Sequence, residues 1–328
     1  MTTSTRIVLD HTPNGPVSEA NFRTETTELP ELEPGQFLVA VRYLSVDPTI
    51  RGWVAYDTYL PKIAEGEVIR SLGAGEVVAS RNEKYPVGTR VSGMTGWQDL
   101  AVLSGGFRLP DGVDYSDALS VFGMTGLTAF VGIEDIGKPM SGEYVVVSGA
   151  AGAVGSIAGQ LAKARGATVI GLAGTTEKCS WVTDELGFDA CVNYRDEPVA
   201  KRLRELCPEG IDVYFDNVGG ETLNIVLGQI RDHARIVMCG AISGYDTGAP
   251  QPGPANLVNA IARRATLKGF IVLDHYDRAG AAAAALGQLL AEGKVHSRVH
   301  EVAGLQQAPA ALSGLFTGDN IGKTLVRL

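Results

Sequence analysis

Hydrophobic residues follow two different spacings in the two parts of this chain. From residue 6 to about residue 112, short β-branched and aromatic runs are separated by Gly and Pro. The longest is the run FLVAVRYLS at 37–45, which follows the turn sequence EPG at 33–35. Shorter runs of this kind stand at 75–80 and 89–92. This spacing predicts a small β-rich barrel or sandwich in the first part of the chain.

After Pro110 the apolar residues change to helical spacing, first in the segment 117–130. Short apolar runs then alternate with segments of helical period. We predict strands at 144–148, 168–172, 190–193, 213–216 and 234–239, with helices at 154–165, 178–186, 199–206 and 222–230. This alternation predicts an α/β fold with a doubly wound parallel sheet of the Rossmann type, covered by helices on both faces.

The last part of the chain returns to short strands. An Ala-rich helix is predicted at 279–290, and strands are predicted at 295–301 and 324–328. We expect these two strands to rejoin the β-rich first domain. His296 and His300 are four residues apart, but residues alternate in a strand, so both would share one polar face with Arg298.

A glycine-rich loop, VSGAAGAVGS at 147–156, stands between a predicted strand and a predicted helix. Its key positions are Ala150, Gly152 and Gly155, which is a dinucleotide fingerprint with its first glycine replaced. Gly152 would let backbone N–H groups approach a pyrophosphate, and Gly155 would let the helix pack on the strand. The alternative is a tight turn that serves packing alone.

The end of the next strand indicates which dinucleotide is preferred. An NAD-binding domain places Asp or Glu there to hold the ribose 2′-hydroxyl, whereas this chain has the small and hydroxyl-bearing sequence AGTT at 173–176. Lys178 follows closely, and its charge suits the 2′-phosphate of NADPH. The alternative is that Lys178 is an ordinary solvated residue of a helix.

Composition and charge exclude several classes of protein. The apolar content of 45% with 20% charged residues is that of a globular chain, and a net charge of −9 leaves no basic surface for nucleic acid. No run of about 18 apolar residues is present, so we expect no membrane span. The apolar run 7–9 is too short for a signal sequence, and the four cysteines form no CxxC pair. We therefore expect a cytoplasmic protein with reduced thiols.

Metal and nucleophile chemistry find no support in the sequence. No cysteine precedes Cys179 and His11 is the only histidine before it, so the ligands of a catalytic zinc are missing from the first domain. No GxSxG sequence occurs. The segment GDNIGKT at 318–324 imitates a phosphate P-loop, but it is one residue short and only four residues follow it.

Several ordered segments carry a resemblance to a known family. They include LSVDPTIRGW, GMTGLTAF, GAAGAVGSIAGQLAK, TTEK, LGFDACVNY, DVYFDNVGGE, MCGAISGY, LKGFIV and GDNIGK. From about residue 40 to the end, the chain resembles the zinc-independent medium-chain dehydrogenase/reductases, in the branch of the prostaglandin and bacterial curcumin reductases. The resemblance implies a GroES-like β-rich catalytic domain at 1–120 and 292–328, a Rossmann domain at 121–291, NADPH as cofactor and a homodimer.

The resemblance also implies which residues hold NADPH. The pyrophosphate loop is Ala151, Gly152, Ala153 and Val154 with Gly155, and the 2′-phosphate meets Lys178 and Tyr194. The other implied cofactor contacts are Asn217, Cys239, Gly240, Ala241, Ile242, Ser243, Tyr245, Phe270, Ile271, Val272 and Asn320. Relatives commonly have VDPYMR where this chain has VDPTIR at 46–51, so Thr49 and Ile50 change a loop expected to border the substrate.

Reduction of a carbon–carbon double bond conjugated to a carbonyl needs no metal. Hydride from NADPH reaches the β-carbon, and the carbonyl oxygen then carries negative charge that the protein must stabilise. Tyr245 is the first candidate for the hydrogen-bond donor or proton source, because it follows the strand at 234–239 and a phenol is protonated at neutral pH. The alternative is that Tyr245 is an ordinary loop tyrosine. Arg51 and Tyr56 are weaker candidates for the pocket wall, and the alternative is that they are surface residues.

The sequence thus predicts an NADPH-dependent reductase of α,β-unsaturated ketones and aldehydes, without metal. Two other interpretations remain open. A quinone reductase on the same fold would reduce quinones faster than enones, and a non-catalytic protein would bind NADPH without turnover.

Overall fold

The computed structural model describes residues 2–247 and 252–328. Within these residues it contains fifteen strands. They are β1 (Thr3–Leu9), β2 (Phe22–Glu28), β3 (Phe37–Ser45), β4 (Gly73–Ser80), β5 (Arg90–Gly93), β6 (Leu100–Leu103), β7 (Phe107–Arg108), β8 (Tyr144–Ser148), β9 (Thr168–Ala173), β10 (Ala190–Asn193), β11 (Ile211–Asp216), β12 (Ile230–Met238), β13 (Thr266–Gly269), β14 (Val299–Ala303) and β15 (Lys323–Arg327).

The helices are mostly short, and the two longest have 12 and 13 residues. They are α1 (Ile50–Trp53), α2 (Tyr115–Leu119), α3 (Met124–Phe130), α4 (Ala153–Ala164), α5 (Thr176–Ser180), α6 (Val199–Leu206), α7 (Gly220–Leu227), α8 (Ile242–Tyr245), α9 (Val258–Ala262), α10 (Ala279–Ala291) and α11 (Ala308–Thr317). Helices α3 and α5 continue as π-helical turns at Val131–Gly137 and Trp181–Glu185, and 3₁₀ turns lie at Glu19–Asn21, Val272–Arg278 and Leu305–Gln307. No described helix has the length and apolar character needed to cross a bilayer.

The chain forms two compact units. The first unit is Met1–Ser120, Tyr245–Gly248 and Val299–Leu328, and the second unit is Val121–Gly244 and Ala249–Arg298. The return to the first unit therefore begins at Val299, later than the residue 292 expected from the sequence. A short stretch that starts at Tyr245 also groups with the first unit.

The second unit is built on a six-stranded parallel sheet in the order β10-β9-β8-β11-β12-β13. This is the strand order of a dinucleotide-binding sheet, with two halves wound in opposite directions from its centre. All six residues of the central strand β11 are buried, as expected where helices cover both faces of a parallel strand. The predicted α/β fold with a doubly wound sheet is confirmed.

The first unit contains a β1–β2 pair and a seven-stranded sheet with the path β14-β15-β3-β4-β5-β7, in which β6 also pairs with β3. Its core includes the fully buried Trp97, Phe37 and Leu44. Strand β15 pairs antiparallel with β3 and parallel with β14. The expectation that the last two strands rejoin the first domain is therefore confirmed.

Three predicted ends differ from the structure by three residues or more. Strand β12 begins at Ile230 rather than at 234, and hydrogen bonds to distant residues explain the other two. The predicted strand at 295–301 starts only at Val299, because the Gln160 side chain in α4 binds both the N–H (2.6 Å) and the C=O (2.9 Å) of His296. His296, Arg298 and His300 therefore do not share one strand face. The predicted helix 222–230 ends at Leu227, and the carbonyl of Gln229 already accepts the Ile211 N–H at 2.9 Å.

Candidate functional site

The candidate site lies at the carboxyl edge of the parallel sheet in the second unit. Strand β8 pairs with β9 on one side and with β11 on the other, so the order of the strands along the chain reverses at β8. Ligands of doubly wound sheets bind outside the carboxyl ends of the strands at such a reversal. The loops that follow β8, β9, β11 and β12 all emerge at this edge.

The loop after β8 is shaped by glycine. Gly149 has φ +60°, and Gly152 forms the N-cap of α4 without a side-chain cap. A Cβ atom at position 155 would lie 2.3 Å from the carbonyl oxygen of Gly149, so α4 can approach the loop only with glycine there. The first turn of α4, Ala153–Gly155, has no acidic side chain. Its first N–H groups have no intrahelical acceptors, which suits a phosphate.

Asp216 ends β11 and is fully buried. Its Oδ1 atom accepts four hydrogen bonds, while its Oδ2 atom is buried without a partner in the described part of the chain. The four donors are the Tyr214 hydroxyl (2.8 Å), the Ser148 hydroxyl (3.1 Å) and the backbone N–H groups of Val218 (3.0 Å) and Gly219 (2.8 Å). Burial, and then the charge of Asp216, raise the pKa of Tyr214 well above its usual value. The carboxylate thus fixes the turn after β11.

Asn217 joins that turn to the end of β8. Its side-chain Nδ2 donates to the Ser148 carbonyl at 2.7 Å, and its backbone N–H donates to the Ser148 hydroxyl at 2.9 Å. A Cβ atom at position 149 would lie 3.6 Å from the Asn217 Cβ, so Asn217 stands directly beside the glycine loop. The structure therefore places Asn217 beside Ser148 and Gly149, at the start of the glycine-rich loop 147–156.

The loop after β12 is tied to the same turn. The N–H groups of Cys239 and Gly240 both donate to the Asp216 carbonyl at 2.9 Å, and the Ser243 hydroxyl donates to Val218 O at 2.6 Å. Further along this loop, Ile242 N–H donates to Asn217 O at 3.2 Å. Burial, and then the charge of Asp216, raise the pKa of the Cys239 thiol to about 12. That thiol stays protonated at neutral pH and is not a nucleophile.

Polar and cationic side chains cluster at the end of β9. A Cβ atom at position 174 would lie 2.6 Å from the Tyr194 hydroxyl oxygen and 3.4 Å from Arg195 Nε. Thr175 caps α5 by accepting the N–H of Lys178 at 3.2 Å, which places Lys178 in the first turn beyond β9. Tyr194 and Arg195 thus meet the end of β9, where an NAD-binding domain has its carboxylate.

Sequence reasoning missed Arg195, Asp216 and Ser148. Arg195 directly follows the predicted Tyr194, at the carboxyl end of the strand beside β9. That position in the sequence could have identified Arg195 as a candidate cofactor contact. Asp216 and Ser148 end two predicted strands, but their shared hydrogen bond joins residues 68 apart in the chain. Spacing along the sequence carries no sign of such a partnership.

Residues 270–272 follow β13, which lies beside β12 in the sheet. Phe270 packs its ring edge-on against His275, with the ring centroids 6.1 Å apart. Because the strands are parallel, Phe270, Ile271 and Val272 lie at the same edge of the sheet as the other loops.

The remaining predicted residues belong to the first unit. Tyr245 ends α8, and Asn320 donates from Nδ2 to the Gly322 carbonyl at 2.9 Å. Tyr56 is half exposed just after α1. Arg51 is buried rather than at the surface, so the alternative of a surface arginine is wrong, and its guanidinium binds Asp246. Contacts of these four residues with cofactor or substrate stay predictions.

Within residues 2–247 and 252–328, no group of three or more His, Cys, Asp or Glu side chains is placed to hold a metal ion. The chain nonetheless matches one family whose name refers to zinc binding. Residues 5–108 match the N-terminal domain of oxidoreductases, and residues 153–287 match a family described as zinc-binding dehydrogenase.

Similar proteins cover nearly the whole chain. The NADPH-dependent curcumin reductase of Escherichia coli is 37% identical, over 98% of this chain and 96% of the relative. Prostaglandin reductase 1 of Rattus norvegicus is 40% identical, over 94% of each chain. The crystal structure of CurA from Vibrio vulnificus in complex with NADPH is 39% identical, with a TM-score of 0.94 over 98% of both chains.

These matches agree with the strand order of the second unit and with the glycine loop at its carboxyl edge. They also agree with the segments that carry the resemblance in the sequence. The chain therefore belongs to the medium-chain dehydrogenase/reductases, in the branch of the prostaglandin and curcumin reductases.

Proposed function

We propose that this protein reduces the carbon–carbon double bond of α,β-unsaturated ketones and aldehydes with NADPH. The observation that carries the proposal is the likeness, over at least 94% of the chain, to proteins named curcumin reductase and prostaglandin reductase. The sheet edge in the second unit supports it, because its uncapped helix and its cationic strand end suit a phosphorylated dinucleotide.

The residues present fit NADPH. The uncapped N-terminus of α4 and the glycine loop 151–155 would hold the pyrophosphate, and Lys178 with Tyr194 would hold the 2′-phosphate. Arg195, beside Gly174, adds a second cation at that position. Asn217, the segment 239–245, the segment 270–272 and Asn320 would hold the rest of the cofactor. NADPH, when bound, supplies a hydride to the substrate.

The chain's own contribution to the reaction is to stabilise charge. When hydride reaches the β-carbon, negative charge develops on the carbonyl oxygen, and a positioned donor stabilises it. Tyr245 is proposed either as that hydrogen-bond donor or as the source of the proton that the α-carbon receives, and in the second role its phenolate would regain a proton from solvent. Arg51 and Tyr56 were predicted for the pocket wall, and only Tyr56 is exposed enough for direct contact with a substrate.

The activity test is a steady-state assay of NADPH oxidation on a panel of small enones and enals, with a quinone measured beside them. We expect turnover of the enones at a higher kcat/KM than of the quinone. A faster reaction with the quinone would indicate a quinone reductase on the same fold. Tight NADPH binding without any turnover would indicate a non-catalytic binding protein, and either result contradicts the proposal.

Cofactor preference should depend on the cations at the end of β9. We expect Lys178→Ala and Arg195→Ala each to raise KM for NADPH about 10-fold or more, because each removes a charge-assisted hydrogen bond to phosphate. KM for NADH should change little. Lys163→Ala is the control, because Lys163 in the same unit binds Asp189 instead (2.8 Å). Equal changes for both cofactors would contradict the 2′-phosphate assignment.

We also propose that the protein is a homodimer. Strand β13 is an edge of the parallel sheet, and α9 with its N-cap residue, just before it, exposes three large apolar residues, Leu257, Val258 and Ile261. Open strand edges and exposed apolar side chains are features that a second copy would cover. Light scattering should give a mass twice the 34.5 kDa of one chain. The Ile261→Lys substitution should lower the measured mass toward that of a single chain. A single-chain mass for the unaltered protein would contradict the dimer.

A cytoplasmic location is part of the proposal. Its support is that Cys179, Cys191, Cys207 and Cys239 are all free thiols in the structure. Reduced thiols are usual in the cytoplasm and rare in oxidising compartments.

A further inference from the structure

A buried ion pair in the first unit holds the residue that follows Tyr245. Arg51 Nε donates to Asp246 Oδ1 at 2.7 Å, and the two side chains are only 3% and 17% exposed. The same carboxylate oxygen accepts the backbone N–H of Val17 at 2.7 Å. Arg51 Nη2 in turn donates to the Gly15 carbonyl at 2.8 Å. One carboxylate thus anchors the chain after α8 to α1 and to the loop at 15–17.

Burial of this ion pair has a desolvation cost, so stability alone does not account for it. Taking a guanidinium and a carboxylate out of water often costs as much as their attraction returns, and well-packed apolar residues can replace such a pair without loss. Arg51 Nη1 is also buried without a partner in the described part of the chain. A guanidinium is a rigid fork whose donors have fixed directions, so the pair specifies a position and an angle.

We propose that Arg51 and Asp246 are positioning residues for Tyr245, and that their ion pair sets the place at which its hydroxyl meets the substrate carbonyl. The inference rests on the proposed role of Tyr245 in enone reduction. Asp246 is joined to Tyr245 by one peptide bond, so a shift of the carboxylate moves the end of α8 with it. Misplacement of a reacting group by about 1 Å can cost up to 10²-fold in rate.

The test is a double-mutant cycle. Asp246→Asn should lower kcat about 10-fold in the unaltered enzyme, with little change in KM for NADPH. In a Tyr245→Phe background the same substitution should change kcat less than 2-fold, because the group that it positions is gone. Arg51→Lys keeps the positive charge but loses the fixed donor directions of the guanidinium, so it should lower kcat as well. If the Asp246→Asn variant does not fold, the Arg51→Lys variant takes its place in the cycle.

Glu143→Gln is the matched control. Glu143 also accepts one backbone N–H, from Met140, and binds one arginine, Arg235, with side chains 13% and 23% exposed. It lies in the second unit, so Glu143→Gln should lower the thermal midpoint and leave kcat within 2-fold.

The cycle separates the possible failures. If Asp246→Asn lowers kcat by the same factor with Tyr and with Phe at position 245, the pair does not act through Tyr245 and the inference is overturned. It is also overturned if kcat of Asp246→Asn equals that of the unaltered enzyme. If Tyr245→Phe alone leaves kcat unchanged, the proposed role of Tyr245 fails first, and the positioning inference fails with it.

Discussion

Replacing Tyr245 by Phe should lower kcat for enone reduction by about 10²-fold. The reason is that the phenol is the proposed donor of a hydrogen bond to the oxygen on which charge develops, and loss of one such donor costs about 10²–10³ in rate. Phe keeps the ring and its packing, so the dissociation constant of NADPH should change less than 3-fold. The measurement is kcat at saturating enone and NADPH, with the cofactor affinity taken from fluorescence titration.

Tyr85→Phe gives a matched control in the same unit. Its hydroxyl donates to the Gly106 carbonyl at 2.6 Å, and its ring stacks on Phe37 with centroids 4.4 Å apart. Loss of this hydroxyl should cost about 1 kcal/mol of stability and leave kcat unchanged. If Tyr245→Phe behaves like Tyr85→Phe, Tyr245 is a structural residue and another group stabilises the carbonyl oxygen.

Much of the second unit could be predicted from local pattern. The strand at 144–148, the strand at 190–193 and the helix at 199–206 were predicted to the residue. Each is a short apolar or amphipathic run between turn residues, and its limits are set by its own sequence. Two of the ends that failed, at 228–230 and 295–298, are decided by Gln229 O and by the Gln160 side chain. Their partners lie 18 and 136 residues away in the chain, beyond the reach of periodicity.

The candidate site was predictable where its residues follow directly on strands. The glycine loop, Asn217 and the segment 239–243 all extend from the carboxyl ends of strands, and parallel topology brings those ends together. The carboxylate that connects them was not predictable, because Asp216 acts through Ser148 and Tyr214 inside the sheet. The burial of Arg51 was missed for a similar reason, since its partner Asp246 is 195 residues away.

Substitutions of the glycines in and next to α4 should distinguish effects on cofactor binding from effects on packing. Gly155→Ala should lower both stability and NADPH affinity, because its Cβ would lie 2.3 Å from the backbone oxygen of Gly149 and α4 must move away. Such overpacking typically costs about 1–3 kcal/mol. The displaced helix N-terminus would also move from the phosphate position, so the dissociation constant of NADPH should rise at least about 10-fold.

Two other glycines in the same region isolate each effect. At Gly152 a Cβ would lie 3.1 Å from Gly149 O and φ is −85°, so Gly152→Ala should fold normally. It should bind NADPH more weakly, since the added methyl group would meet the pyrophosphate in its proposed position. At Gly159 a Cβ would lie 1.8 Å from the Phe188 ring, so Gly159→Ala should lower the thermal midpoint with little effect on affinity. If Gly152→Ala binds NADPH as tightly as the unaltered protein does, the loop serves packing alone. The dinucleotide would then have to bind elsewhere on the sheet edge.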